Sequence, residues 1–448
     1  MPDARFHAFA QAAEAIAATS KRTEKTDRAV DYLAPLADDD LRRAARYLAG
    51  RLFPLYDQRT VRIGHAALLT ALAAAAGAER EALQARLVAL GDPGDVAAEA
   101  LAGTDASPLT LAAFEGWLAD LATVRGTKQR TERLAAMLGG LGAVEAKYAV
   151  KLLAGDLRIG FKEGGVEAAL AQMAAVPLNR VRRVNMLTGD LGEAALLARH
   201  GRLGEARMRL FHPIQFMLAT AAEDDAEVAR QMPGRFVVED KFDGIRAQAH
   251  VGPDDGDPDR HGVVHGGTRV ALFSRTLDAI TPSFPDLVAP LAEAGRHAPS
   301  GLVLDGEIVP VGDEGIRPFQ ALQRRLGRKR VPAALLEEVP VAFVAFDVLF
   351  ADGAVLLDAP YTTRRTPLER LPASPHVRVS DAQTMDDTDG LDAAFEAARA
   401  RGNEGLMVKA PASTYRPGRR GRDWLKIKRA LATLDVVVTA VEVGSGKR

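Results

Sequence analysis

Five short stretches in the second half of the chain set charged residues beside apolar runs. In "VVEDKFDGIRAQAHV" (237–251), Lys241 stands among acids at the end of an apolar run, just before the turn signal Asp243–Gly244. "FSR" ends on Arg275, "LDGEIV" sets Glu307 inside an apolar strand pattern, and "EGLMVK" opens on Glu404. "WLKIK" spaces Lys426 and Lys428 two apart, which puts both on one face of a strand. Singly, each has a bland reading: a solvated strand-end lysine, an edge-strand acid, a sheet edge blunted by lysines. Together they suit one chemistry, the attack of a lysine amine on phosphorus. That reaction needs a free amine, a divalent cation and counter-charges for phosphate oxygens. Glu307 and Glu404 offer hard carboxylate oxygens to Mg²⁺. The lysines and arginines offer positive charge. Their field, with the metal, is expected to lower the Lys241 pKa so that free amine exists near neutral pH. Phe346, in "FVAFDVLF", is suited to stack on a flat base.

The elements that must position these residues differ between the two halves of the chain. With 448 residues, two or three domains are expected. Up to about residue 205 the chain is rich in Ala, Leu, Arg and Glu at helical spacing, as in 65–90 and 131–155, and predicts an all-α domain. From about 206 short β runs take over: 235–239, 245–251, 269–274, 301–311, 341–350, 405–409 and 423–428. Helical patterns such as 392–400 lie between them. Strands in runs, without regular βαβ alternation, predict an α+β domain with mainly antiparallel sheets over 206–430. The stretch 254–267 reads as a hairpin loop or disordered excursion, and 431–448 as the first strand of a further β domain.

Hydrophobic residues at 47% and charged residues at 26% are the proportions of a soluble globular protein. A net charge of −1 gives no global attraction for nucleic acid, so any basic face must be local. The absence of cysteine excludes disulfides, zinc–thiolate sites and cysteine nucleophiles. No signal peptide or membrane-spanning run is recognisable, which leads to the expectation of a cytoplasmic protein.

In this order, "EDKFDGIR", "FSR", "LDGEIV", "FVAFDVLF", "EGLMVK" and "WLKIK" resemble the nucleotidyltransferase motifs of ATP-dependent DNA ligases. A lone Lys-x-Asp-Gly is a weak signal; the ordered set across roughly 190 residues is specific. "KLLAGDLRIGFKEGGVEAAL" (151–170) and "LTGDLGEAA" (187–195) are similar to the helical DNA-binding domain of that family, and "FHPIQFMLA" (211–219) to the segment leading into the adenylation domain. The resemblance implies ATP and Mg²⁺ as cofactors and nicked duplex DNA as partner, for a monomer of the nucleoid. It implies that Lys241 is adenylated, that Glu239 contacts the adenine amino group, and that Arg246 and Arg275 hold ribose and phosphates, including the nick 5′-phosphate. It further implies that Glu307 and Glu404 serve metal and ribose, that Phe346 stacks on adenine, and that Lys426 and Lys428 engage the α-phosphate. The 431–448 segment would open an OB-fold domain that orients pyrophosphate in this family, so slow self-adenylation is expected of the chain as it stands.

Local basic runs supply candidates for DNA contact: Arg158 in "AGDLRIG", Phe319 beside "QRRLGRKR", and "YRPGRRGRDWLKIKR" (415–429). Two other readings stay open. One is an RNA ligase or capping nucleotidyltransferase, against which the long helical region speaks. The other is a nick-binding protein that does not complete catalysis.

Overall fold

The computed structural model describes residues 4–440 except 62, 258–259, 314, 329, 373, 429–436 and 438. The expected strand at 431–448 falls almost wholly outside the described residues. The chain divides into two compact units between Arg207 and Met208, two residues beyond the composition change.

The first unit is helical throughout its regular structure, as expected. The predicted run 65–90 is two helices, His65–Ala76 and Arg80–Leu90, and 131–155 is covered by Thr127–Gly139 and Ala143–Leu153 apart from 140–142 and 154–155. Each run is helical, as its period predicts, and is divided by a short turn. Gly77 takes φ +62° as the C-cap of the first helix, a left-handed turn that ends it. The core gathers Phe6, Phe9, Tyr47 and Phe114, all fully buried, with Phe6 and Phe114 ring centroids 4.4 Å apart. Asp190 caps helix Leu191–Arg199 and takes both arms of the Arg46 guanidinium at 2.7 Å.

The second unit holds thirteen described strands: β1 (Leu218–Ala222), β2 (Phe236–Lys241), β3 (Ile245–Pro253), β4 (Val263–His265), β5 (Thr268–Ser274), β6 (Leu302–Gly312), β7 (Gly315–Ile316), β8 (Val341–Ala351), β9 (Ala354–Val355), β10 (Val377–Val379), β11 (Ala382–Met385), β12 (Gly405–Lys409) and β13 (Arg420–Ile427). They form a five-stranded sheet, ordered β1-β13-β12-β2-β11, and an eight-stranded sheet, ordered β10-β8-β6-β3-β5-β4 with β7 on β6 and β9 on β8. All pairings are antiparallel except β1 with β13 and β10 with β8. The excursion 254–267 contains β4, which closes a hairpin on β5 through Gly266–Gly267 at positive φ.

Each sheet packs one face into its main apolar core, and the other face of the eight-stranded sheet is largely buried as well, with Gln248, His250, Asp305 and Phe273 fully buried. In the eight-stranded sheet Ala247, Ala249 and Val251 pack with Leu272, Leu304, Phe343 and the helix Val288–Gly295. In the five-stranded sheet Phe236, Val238, Leu406, Val408, Leu425 and Ile427 pack under Phe395 of helix Leu391–Ala400. Because side chains alternate along a strand, the opposite faces carry the remaining set. That set includes Glu239, Lys241, Met407, Lys409, Trp424 and Lys426 on one sheet, and Arg246 and Glu307 on the other.

Candidate functional site

β2 and β3 are consecutive in the chain but belong to different sheets. The three residues Phe242–Gly244 make the crossing, so Lys241 stands at the last position of one sheet beside the first strand of the other. Gly244 is required there, because a Cβ would collide with the Ile308 carbonyl oxygen and press on the Glu307 side chain. The crossing is therefore as tight as the backbone of β6 permits.

A cavity of about 210 Å³ opens at this point. Among its walls are Glu239, Lys241, Arg246, Arg275, Glu307, Phe346, Lys426 and Lys428, eight of the nine residues to which the sequence reading gave a nucleotide or metal role. The ninth, Glu404, precedes β12 and reaches the site through its carboxylate. One oxygen pairs with the Lys241 amine and the other with the Lys428 amine. Lys426 faces the same cavity and makes no hydrogen bond or ion pair among the described residues.

Strand register explains the rows. Met407 lies opposite Glu239 on β2 and Lys426 on β13, and Lys409 opposite Val237 and Trp424. Gly405 lies opposite Lys241. The position of Phe346 has a different origin. Asp305 pairs with Asp347 and Gly306 with Ala345, so Phe346 is an extra residue in β8, a bulge. At the bulge Phe346 and Asp347 both leave the core face, and the Phe346 ring forms part of the cavity wall.

Arg246 is held on all sides. Asp305 takes its guanidinium at 3.1 and 2.7 Å, and the Met217 carbonyl accepts a further bond at 2.7 Å. Its charged plane lies 4.9 Å from the Phe216 ring centroid and 5.5 Å from that of Phe346. Tyr415 donates to Asp305 at 2.6 Å, completing the buried partners of that carboxylate. Arg275, just past β5, is exposed on the cavity rim.

Electrostatics favour a reactive amine. Burial pushes the Lys241 pKa down, Glu307 and Asp243 oppose this, and Arg246 and Arg275 add to it. The sequence reading had assigned the depression to positive field and metal; desolvation is the larger cause here. Burial likewise lifts Glu307 above the usual carboxylate range, against Arg246 and Lys241. Lys426 and Lys428 are lowered, first by burial and then by Lys241. Among the described residues no three His, Cys, Asp or Glu side chains form a metal cage. A Mg²⁺ that takes one or two carboxylates and completes its shell with phosphate oxygens and water needs no such cage, and Glu307 and Glu404 match that donor set.

Several residues of the site were not singled out from sequence. Lys409 is 1% exposed, donates to Glu239 at 2.7 Å, and lies 4.5–4.8 Å from the ring centroids of Trp424, Phe346 and Tyr361. The Glu239 carboxylate also accepts from Tyr361, Arg365 and Ser380. Arg420 lines the cavity at the start of β13, exposed and without an ion pair among the described residues. A signal for Lys409 existed, since a lysine two positions beyond Met407 shares its face in an otherwise apolar strand. Nothing in the local sequence announced Tyr361, Arg365 or Asp305 as partners.

Of the candidates for DNA contact, the run 415–429 supplies Arg420, Trp424, Lys426 and Lys428 to this cavity. In the first unit Arg158 adopts φ +54°, its amide bonds Asp156 at 2.9 Å, and its guanidinium bonds the Gly91 carbonyl at 2.6 Å while the side chain stays half exposed. In the second unit Phe319 packs half-buried against the core of the eight-stranded sheet. Of the basic run beside it, Arg325 is fully buried on Asp286, and Arg324 pairs with Glu338. That run is thus less available to phosphate than its composition implied.

Comparison with known proteins gives a consistent result. Residues 216–428 match the family model described as the ATP dependent DNA ligase domain, and residues 5–171 match the DNA ligase N terminus. A probable DNA ligase of Koribacter versatilis is 41% identical over 98% of this chain and 78% of its own length. A DNA ligase of Methanothrix thermoacetophila is 36% identical over 99% of this chain and 78% of its own. The solved structure named Pmar-Lig_PreS3 shares the fold at 15% identity, with a TM-score of 0.57, covering 94% of this chain and 78% of that one.

Proposed function

The chain belongs to the ATP-dependent DNA ligase family, and from that premise we propose that Lys241 is the residue that carries AMP in its nick-sealing cycle. The observation that carries the assignment is the placement of a half-buried lysine with a depressed pKa in the cavity wall, between Glu307 and Glu404 and facing Lys426. In the first step the Lys241 amine attacks the α-phosphorus of ATP, a P–N bond forms and pyrophosphate leaves. In the second, AMP passes to the 5′-phosphate of a nick. In the third, the 3′-hydroxyl attacks that phosphate, the phosphodiester forms and AMP leaves.

The other residues take supporting parts. Arg246, fixed by Asp305, and Arg275 hold ribose and phosphate oxygens. Lys426 and Lys428 neutralise the α-phosphate as charge develops on it. Phe346 stacks on the adenine, whose amino group lies toward Glu239. Glu307 and Glu404 would hold Mg²⁺, which when bound would polarise the phosphate and neutralise its charge.

The helical unit, residues 1–205, would grip nicked duplex DNA, with Arg158 there and Phe319 in the second unit near the backbone or minor groove. Residues 206–430 would be the adenylation domain. The protein would act as a monomer in the cytoplasm at the nucleoid, in replication, repair or recombination. No helix among the described residues is long and apolar enough to cross a membrane. A mass spectrum of the protein after incubation with ATP and Mg²⁺ tests the central assignment. One added AMP on the peptide containing Lys241 is expected, and AMP on another residue would overturn it.

A further inference from the structure

The segment Phe211–Met217 belongs to no strand, yet it is fastened to the polar face of β3 at three successive points. Arg246, Gln248 and His250 alternate along β3 on the face opposite the core residues Ala247, Ala249 and Val251. Arg246 donates to the Met217 carbonyl at 2.7 Å. The Gln248 amide bonds both backbone groups of Ile214, accepting from its N–H at 3.1 Å and donating to its carbonyl at 2.6 Å. The His250 Nδ1 accepts from the Phe211 N–H at 3.0 Å. The segment thus runs antiparallel to β3, held by side chains where a neighbouring strand would be held by its backbone.

Gln248 and His250 are fully buried, and neither has a part in the chemistry described above. The Phe211 N–H can only donate, so Nδ1 carries no proton and Nε2 does. Nε2 then faces Gln248 Oε1 at 3.3 Å, which fixes the orientation of the amide. The His250 ring sits edge-on to Phe273 at 5.1 Å. Beyond Met217 the chain enters β1, which pairs in parallel with β13 of the other sheet, and Leu218 and Ala219 form part of the cavity wall. Phe216 lies under the Arg246 guanidinium. One strap therefore joins the face of the eight-stranded sheet to the strand that carries Lys426.

We infer that Gln248 and His250 are positioning residues for ATP binding: by fastening the 211–217 strap they hold Arg246 and the Leu218–Ala219 wall at the geometry that receives the nucleotide. The inference rests on the proposed nucleotide role of Arg246 and goes beyond it, because neither Gln248 nor His250 touches the cavity.

The test is single-turnover self-adenylation of the full chain at varied ATP, with hydrogen exchange on the same samples. Gln248→Met and His250→Leu are expected to raise the apparent KM for ATP by about tenfold or more, with a near-normal rate at saturation. His250→Asn keeps an acceptor close to the place of Nδ1 and is expected to stay within about threefold of the parent. Exchange at amides 211–217 should quicken in the first two variants and not in the third. In the parent, the Phe211 and Ile214 amides should be as protected as those of β3. Fast exchange at these amides in the parent would overturn the proposal, and so would variants that lose active protein at unchanged KM, or a His250→Asn variant as impaired as His250→Leu. If the leucine variant does not fold, Gln248→Met and the parent exchange pattern decide the matter. Arg246→Ala separates the two levels. If it leaves KM unchanged, the nucleotide role of Arg246 fails; if it raises KM while the strap variants do not, only the strap fails.

Discussion

Glu404 holds Lys241 twice: its backbone N–H donates to the Lys241 carbonyl at 2.8 Å, and its carboxylate pairs with the Lys241 amine. The first bond continues the β12–β2 ladder past Gly405, so the position of the amine and of its counter-charge are set by the same strand pairing. The β12–β13 pairing, with Leu406 opposite Ile427, brings Lys428 to the second oxygen of Glu404. A carboxylate shared by two lysines fixes both side chains beside the place where phosphate charge must be met.

Replacing Lys241 should abolish transfer of AMP to the protein and leave the fold intact. Lys241→Arg should fail as completely as Lys241→Ala, because a guanidinium is not deprotonated at usable pH. Intact-protein mass after incubation with ATP and Mg²⁺ measures this, with circular dichroism as the control for folding. An arginine variant that still gains AMP would sink the assignment.

The pH dependence of self-adenylation should follow the Lys241 amine. Attack needs the neutral form, so the rate should rise by about tenfold per pH unit below the amine pKa and level off above it. Burial together with Arg246 and Arg275 lowers that pKa, while Glu307 raises it. Hence Arg275→Ala should move the rising limb to higher pH, and Glu307→Gln should move it to lower pH. Single-turnover rates across pH 5.5–9.5, the span over which a buried lysine can titrate, decide this. Shifts of the opposite sign would show that another group controls the step.

Glu307→Ala and Glu404→Ala should each raise the Mg²⁺ concentration needed for half-maximal self-adenylation by about tenfold or more, since each removes a hard oxygen donor. Raising Mg²⁺ should recover part of the loss. Two variants with parental Mg²⁺ titrations would remove both residues from the metal site.

The helical unit, expressed as residues 1–207, should bind duplex DNA without sequence preference. If six or more phosphates are contacted, affinity should fall by ~10³ or more between 50 and 200 mM salt. Fluorescence anisotropy with two unrelated duplexes measures both claims. Salt-independent binding, or none at low salt, would contradict the role given to this unit.

His250 should make the second unit sensitive to mild acid. Burial pushes its pKa from 6.5 to about 3, with a smaller contribution from His212. The folded state therefore binds fewer protons than the unfolded chain between those values. Stability is complete above pH 6.5 and falls as pH drops toward 3, by about 1.4 kcal/mol per unit while the folded ring stays neutral. Urea unfolding followed by Trp424 in a Trp117→Phe background should show the midpoint dropping between pH 7.5 and 5.5. The drop should be smaller with His250→Asn; an equal drop in both would assign it to other groups.

Most of the strand set was legible in the sequence because strand propensity and alternation are local. The seven predicted β runs correspond to β2, β3, β5, β6, β8, β12 and β13, and the charged residues at their ends were recognisable as one chemistry. The strands that were missed, β1, β4, β7, β9, β10 and β11, have five residues or fewer and owe their form to the strand they pair with. The two named helical runs each fold as two helices, with Gly77 and Gly140 capping the first of each pair.

By itself, the sequence determined the order of the motifs, the helical character of the first unit and the longer strands of the second, and it offered candidates for phosphoryl chemistry, since each of these depends on neighbours a few positions away. Only the tertiary structure decided that β2 and β3 belong to different sheets, and hence that the alternating polar faces of both meet around Lys241. It also decided that a bulge in β8 presents Phe346, that Lys409, Tyr361, Arg365 and Ser380 converge on Glu239, and that Gln248 and His250 strap down the 211–217 segment. The physical reason is that a buried charge or amide is stable only with its partners in place. Those partners lie 34 to 170 residues away along the chain, beyond the reach of any local pattern.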